Sequence, residues 1–145
     1  MGHWARIDEN NIVQEVIVIK EAELDTGNWG DKSKWIKTSY NTFEGKHYVP
    51  KDHQHWIEES PDQSKALRFR FAAKGMVYDS TNDVFYIQQP HASWTLNTTT
   101  WTWEAPIAEP SLTRYQQETE GKYYEWDETL YQSDNTQGWV LRTDD

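Results

Sequence analysis

Two arms rich in branched aliphatic residues decide the fold, Trp4-Ala5-Arg6-Ile7 and Ile12-Val13-Gln14-Glu15-Val16-Ile17-Val18-Ile19. They flank the polar segment Asp8-Glu9-Asn10-Asn11, which is typical of a turn. Branched side chains favour strands, and a short polar connection between two such arms favours an antiparallel hairpin. The sequence therefore predicts an N-terminal hairpin or small sheet that includes residues 12–19, and this aliphatic-rich segment is the best candidate for a central strand.

Aromatic residues replace aliphatic ones in the rest of the chain. Ile, Val, Leu and Phe make up only 25 of the 145 residues, a level at which an acidic chain is suspected of disorder. Nine Trp and eight Tyr argue for a folded protein, because these side chains bury large apolar areas. We predict a mainly β fold with a small aromatic core. Helix should be minimal, a turn or two near Glu21 to Asp25.

Short aromatic β-hairpins repeat after Gly75, at residues 76–86, 93–103 and 123–141. In each copy two β-rich arms flank a polar turn that contains Asp or Asn together with Thr, and the second arm of the last copy is residues 138–141. Prolines separate the copies, at Pro90, Pro106 and Pro110. A single hairpin is too small to be stable alone, so the copies should stack on one another, on the N-terminal sheet or on another chain.

A strand is predicted at Trp35 to Ser39, and the residues after it lack clear periodicity. Trp35 and Trp94 each lie beside β-forming residues and are predicted to be buried, whereas Asp8-Glu9-Asn10 is predicted to be an exposed turn. Residues 41–64 read as a long loop, which in a compact domain usually forms a functional or packing surface. We therefore predict an N-terminal β domain over residues 1–74 that contains this loop, and aromatic hairpin repeats over residues 75–145. The two parts could also form one continuous domain.

The charge balance excludes several classes of function. Fourteen basic and 24 acidic residues give a net charge of −10, which disfavours binding to nucleic acid or anionic lipid. The one basic cluster is Lys65, Arg68, Arg70 and Lys74. No apolar run approaches 18 residues and the first twenty residues do not resemble a secretory signal, so we expect a soluble protein made in a cytosol. The absence of cysteine removes disulfides and thiolate metal sites.

Enzyme activity has no support in the sequence, which contains no established nucleotide-binding, protease or esterase motif. One possible metal cluster exists, formed by His47, Asp52, His53 and His55, but its spacing matches no known site, so we expect neither metal nor cofactor. Adjacent carboxylates such as Glu58-Glu59 point to opposite faces of a strand. With so many acidic residues, a solvated acidic surface explains these pairs better than a glycosidase site does.

Exposed aromatic residues are the best functional candidates. Trp101 and Trp103 share one face of a predicted strand, where they could stack on sugar rings or belong to the core or a subunit interface. We favour core or interface, because so few aliphatic residues are present. The predicted interface anchors are Tyr40, Tyr48, Trp56, Trp101 and Trp103, since interface centres favour Trp and Tyr. The alternative is that all of these rings fill the protein's own core.

The segment Trp35-Ile36-Lys37-Thr38-Ser39-Tyr40-Asn41-Thr42, followed by Gly45 and His47-Tyr48, resembles a small family of virion structural proteins from tailed phages of marine cyanobacteria and related marine bacteria. Further motifs match in order, including Ser93-Trp94-Thr95-Leu96 and Tyr124-Glu125-Trp126-Asp127-Glu128, so the resemblance covers nearly the whole chain. The chain departs from the family pattern at residues 43–45 and 53–56. The resemblance implies a particle component without catalytic residues.

Two functions are consistent with this resemblance. The favoured one is a capsid decoration or cement protein on the outer shell, whose partners are the major capsid protein and neighbouring copies of itself. The alternative is a tail or tail-fibre component whose aromatic hairpins bind host-surface glycan. Either protein would be made in the host cytoplasm and end in the virion, with no nucleic-acid or membrane partner. Copy number separates them, because a decoration protein approaches the major capsid protein in abundance.

Overall fold

The computed structural model describes residues 2–51 and 56–144. It is mainly β, with 36% strand, 13% helix and many small antiparallel sheets, which confirms the predicted fold class. The described part of the chain contains no helix that is long and apolar enough to span a membrane.

A three-stranded antiparallel sheet forms from β1 (Gly2–Ile7), β2 (Val13–Ile19) and β3 (Trp35–Thr38), in the order β2-β1-β3. The predicted hairpin is confirmed, and the central strand of the sheet belongs to it. β1 lies in the centre, because β3 returns to its free side and places Lys37 opposite Trp4.

The turn between β1 and β2 is built around the Asp8 carboxylate. Its Oδ1 accepts hydrogen bonds from the backbone N–H groups of Asn10 (2.8 Å) and Ile12 (3.0 Å). Asp and Asn favour such turns because a short polar side chain can bond the backbone two residues on. Glu9 and Asn10 are exposed as predicted, whereas Asp8 is half-buried.

The chain divides into two compact units, Met1–Gln88 with Thr98–Thr102, and Gln89–Asn97 with Trp103–Asp145. Successive residues of a strand point to opposite sides, and in the first unit each face of β1 packs against its own cluster of buried side chains. One cluster of buried side chains contains Ala5, Ile7, Val13, Ala72 and Phe85. The other contains Trp4, Ile19, Leu24 and Trp35. The predicted burial of Trp35 is confirmed.

Residues 41–64 do not form the predicted loop. They contain β4 (Thr42–Phe43), β5 (Lys46–Lys51) and β6 (Trp56–Glu59), which pair as an antiparallel sheet in the order β4-β5-β6. The tight turn between β4 and β5 has Glu44 at φ 48° and Gly45 at φ 80°. Two successive positive φ values are typical of the turns that connect adjacent hairpin strands.

The first aromatic hairpin consists of β7 (Val77–Asp79) and β8 (Val84–Tyr86) and belongs to the first unit. The N–H of Val13 bonds the carbonyl of Met76 at 2.8 Å, and the N–H of Tyr78 bonds the carbonyl of Asn11 at 2.8 Å. Phe85 is completely buried beside β1. These contacts extend the first unit beyond residue 74.

The other two hairpins are β9 (Thr95–Asn97) with β10 (Thr102–Glu104), and β11 (Lys122–Trp126) with β12 (Trp139–Thr143). The predicted helix α1 (Glu21–Leu24) is present, followed by a 3₁₀ turn at Lys32–Lys34. Two further short helices were not predicted, α2 (Arg114–Glu118) and α3 (Glu128–Ser133). Helix α3 occupies the connection between β11 and β12.

Three tryptophans form the centre of the second unit. The ring centroid of Trp126 lies 5.9 Å from that of Trp94 and 5.2 Å from that of Trp139. Trp126 is buried, but Trp94 is only half-buried, so the prediction of a buried Trp94 is wrong for the ring as a whole. Its indole nitrogen is nevertheless buried, and no partner for it is present among the described residues.

Candidate functional site

A groove of about 870 Å³ runs along β3 in the first unit, and we call it the β3 groove. All four residues of β3 and the next three, residues 39–41, line it. Successive side chains of a strand alternate between faces, so a groove that touches all four strand residues borders the edge of the strand. β3 is the last strand of its sheet, and the opposite wall of the groove is formed by residues from Ser64 to Arg68.

Two hydrogen bonds show which backbone groups of β3 face outward. The Nη1 of Arg68 donates to the carbonyl of Lys37 at 2.9 Å, and the N–H of Trp35 donates to the carbonyl of Lys32. Both bonds lead away from β1. Because the N–H and C=O of one strand residue point to the same side, the N–H of Lys37 also faces the β3 groove.

The β3 groove carries a local positive charge in a chain of net charge −10. Its basic lining residues are Lys37, Lys65 and Arg68, and its acidic one is Glu21. The Nζ of Lys37 lies 5.9 Å from the ring centroid of Trp4, where the ring's electron density favours a cation. Glu21 is also paired with Lys32, outside the lining, at 3.4 Å.

Arg68 is held toward the groove by an irregular segment. Arg68 and Phe69 have φ values of 52° and 73°, in a region that residues other than glycine rarely adopt. The backbone is fixed there because the carbonyl of Arg68 accepts a bond from the N–H of Phe85 and that of Phe69 accepts one from Gly45. The guanidinium Nε also donates to Asp83 at 2.9 Å. The surrounding structure therefore fixes a strained backbone, a feature that occurs often at functional sites.

His3 and Tyr40 line the β3 groove and belong to a group of aromatic rings of which two are largely exposed. The ring of Tyr40 stacks on His3 at 6.0 Å and meets the edge of Phe71 at 5.5 Å, and Tyr40 is 61% exposed. Phe43, 50% exposed, packs against Tyr48 at 5.9 Å. Phe43 and Phe71 also line one shallow pocket of about 310 Å³. We call these five residues the exposed aromatic surface.

The structure thus brings together two of the five predicted anchors, Tyr40 and Tyr48, and adds three rings that sequence reasoning missed. Trp101 is half-buried, stacks on Tyr86 at 5.9 Å and accepts a bond from Arg70 through its carbonyl. Trp103 is half-buried as well. The side chain of Trp56 lies outside the described part of the structure.

The possible metal cluster is only partly described. His47 lies on β5, and its Nδ1 is 2.6 Å from the hydroxyl of Ser60. The remaining members of the cluster, Asp52, His53 and His55, lie outside the described residues. Across residues 2–51 and 56–144, no group of three His, Asp or Glu side chains is placed to hold a metal ion.

Glu128 is the carboxylate with the clearest altered ionisation. It accepts hydrogen bonds from the Ser93 hydroxyl (2.6 Å), the Gln132 amide (2.6 Å) and the Trp126 indole (3.0 Å). These bonds favour the ionised form and lower the pKa of Glu128 to about 2. Because Glu128 is the first residue of α3, its bond to the Trp126 indole connects that helix to the tryptophan cluster of the second unit.

Comparison of the chain with protein-family models, with curated proteins and with solved structures finds no match. The resemblance to a marine phage family therefore remains a prediction from the sequence.

Proposed function

We propose that this protein is a structural component of a phage virion, a decoration protein that binds the outer surface of the capsid shell. The observation that carries the proposal is the exposed aromatic surface of the first unit. Tyr40 and Phe43 expose half or more of their surface in a chain whose own core is short of apolar side chains. The centres of protein interfaces are enriched in aromatic residues, which supports attachment to another protein.

Attachment would also stabilise the protein. Complete burial of one Phe side chain contributes about 1.5–3 kcal/mol, a large amount for a domain of marginal stability. A partner that binds only the folded state shifts the folding equilibrium toward it. The resemblance to virion proteins identifies that partner as the major capsid protein or a neighbouring copy already on the shell.

A second candidate, a tail or tail-fibre component that binds host glycan, is favoured by one feature of the β3 groove. The stacked rings of His3 and Tyr40 adjoin the polar side chains of Ser39 and Asn41, which line the same groove. A flat aromatic face beside hydrogen-bonding groups suits a sugar ring.

Copy number in purified particles tests the assignment. Quantitative mass spectrometry should find this protein at a level near that of the major capsid protein. A far lower number would contradict the capsid position and favour the tail.

The attachment surface is tested by the double variant Tyr40→Ser, Phe43→Ser in particles assembled with the altered protein. We expect a folded, soluble protein that no longer occupies the shell. Tyr115→Ser is the matched control, because Tyr115 is 65% exposed but lies on α2 of the second unit. If the double variant occupies particles as fully as the control does, the exposed aromatic surface is not the attachment site.

A further inference from the structure

We infer that the β3 groove binds an extended, acidic peptide segment of the shell protein to which this protein attaches, and not of a second copy, and that the segment adds to the sheet as a strand beside β3. The inference rests on the proposed function, since it names the chemistry of the attached partner. It follows from the edge of β3, the charge of the groove and the shape of the groove.

The edge of β3 can accept another strand. No strand of the described residues pairs with β3 on its outer side, and the N–H of Lys37 faces the groove. Peptides that bind by strand addition obtain their affinity from such main-chain groups. The bond from Arg68 to the carbonyl of Lys37 and the bond from the N–H of Trp35 to the carbonyl of Lys32 cover part of the edge. The incoming strand therefore pairs with the remaining groups, of which the N–H of Lys37 is one.

Charge complementarity identifies the occupant as acidic. Lys37 and Lys65 both line the groove and contribute two cationic groups, whereas the charge of Arg68 is already paired with Asp83. The rest of the chain is strongly acidic and repels anions, so a positive groove selects where an acidic segment can dock.

The shape fits a short extended peptide. The groove follows the four residues of β3 at the sheet edge, a length of roughly 10 Å at about 3.3 Å per residue. In a strand, alternate side chains point to opposite faces, so carboxylates at every second position could all approach Lys37 and Lys65.

The alternative explanation is that Lys37 and Arg68 only protect the edge strand from pairing, as charged side chains often do. In that case no peptide binds. The two explanations predict opposite results with a defined peptide probe.

The probe is a fluorescent hexapeptide of alternating Glu and Val with blocked ends, titrated with the isolated full-length protein while anisotropy is measured. We expect saturable binding that weakens with added salt. The variant Lys37→Glu, Lys65→Glu should bind about tenfold more weakly, because each reversal replaces an attraction with a repulsion. The control Lys20→Glu, Lys74→Glu makes the same change of charge at exposed residues outside the groove, and its affinity should stay within about twofold.

The inference would be overturned if the peptide did not bind, or if the control variant weakened binding equally. It would also be overturned if the same peptide with alternate amides N-methylated bound undiminished, because such a peptide cannot pair with β3. Tighter binding of a sulfated oligosaccharide would be a fourth contrary result. Sedimentation of the unliganded protein provides a fifth, because self-association that the Lys37→Glu, Lys65→Glu variant abolishes would assign the groove to a second copy. Particle occupancy is a separate measurement. If the Tyr40→Ser, Phe43→Ser variant no longer occupies particles but still binds the peptide, both proposals are supported. If the protein binds the peptide but is present in particles in only a few copies, the capsid proposal alone is overturned.

Discussion

Gly138 allows the second unit to pack, and its replacement by alanine is a sharp test of that packing. A Cβ atom at this position would lie 2.4 Å from both Cη2 and Cζ3 of Trp126 and 3.0 Å from Cε3. Carbon atoms in contact normally lie about 3.5–4.0 Å apart, so the indole must move by about 1 Å. Trp126 is only 6% exposed, so it cannot simply move into solvent.

The displacement disturbs every contact of the Trp126 ring. Trp94 and Trp139 pack against it, and its Nε1 donates to Glu128 at 3.0 Å. Overpacking of a well-packed core costs about 1–3 kcal/mol, and we expect the upper part of that range because the clash involves a buried ring. For a small domain, each kcal/mol lowers the thermal midpoint by about 4–8 °C.

Urea unfolding followed by tryptophan fluorescence measures the change in the free energy of unfolding for Gly138→Ala. The same substitution is then made in a Trp126→Leu background, which lacks the ring atoms that clash. There it should cost less than about 0.5 kcal/mol, since the added methyl group has room. Equal costs in the two backgrounds, or an unchanged stability of Gly138→Ala, would refute the proposed packing.

Three further predictions concern single side chains. Phe85→Ala should lower the free energy of unfolding by about 3–5 kcal/mol, whereas Val18→Ala, at a residue 54% exposed, should change it little in the same urea titration. Trp101→Ser should destabilise the protein by at least about 0.5–1.5 kcal/mol through loss of its stacking on Tyr86, and an unchanged thermal midpoint would disprove that role. Because the folded pKa of Glu128 lies near 2, below its ordinary value of 4.5, the stability it contributes is present above pH 4.5 and lost as the pH falls toward 2. Glu128→Gln should therefore lose less stability over that interval than the wild type does, and identical pH profiles would contradict this.

Features set by nearby residues could be predicted from the sequence. The hairpin of β1 and β2 follows from its aliphatic arms and from Asp8, whose carboxylate organises the turn. The position of β3 could not be predicted, because it depends on which side of the hairpin the chain reaches after residues 20–34. That choice makes β1 central and leaves β3 at the edge.

The sheet of β4, β5 and β6 and the helices α2 and α3 were not predicted from the sequence. The sheet of β4, β5 and β6 has no clear sequence pattern, because β4 has only two residues and β5 contains Pro50, a residue that is unusual within strands. The two additional helices carried recognisable starts. Thr113 and Gln116 form a capping box before α2, and Asp127 caps α3 by accepting a bond from the N–H of Leu130.

The candidate site was predictable only in part, because several of its residues meet through contacts between distant parts of the chain. The sequence predicts Tyr40 and Tyr48 as site residues, because they are aromatic residues in or beside a segment without clear periodicity. It also contains one basic cluster, to which Lys65 and Arg68 belong. Lys37 joins these two basic residues, and Phe71 joins Tyr40, through contacts across about thirty residues of chain. Long-range contacts of this kind arise from the tertiary fold, and local patterns do not contain them.

The division between core and surface makes the proposed attachment separable from folding. The first unit is held by side chains on both faces of β1, where loss of Phe85 should cost about 3–5 kcal/mol. Tyr40 lies outside both clusters, and loss of its ring contacts costs only about 0.5–1.5 kcal/mol each. A substitution of Tyr40 can therefore remove a binding contact while most of the folding energy remains. It follows that a folded Tyr40 variant absent from particles reports on attachment itself, whereas the same absence in a Phe85 variant would report only on unfolding.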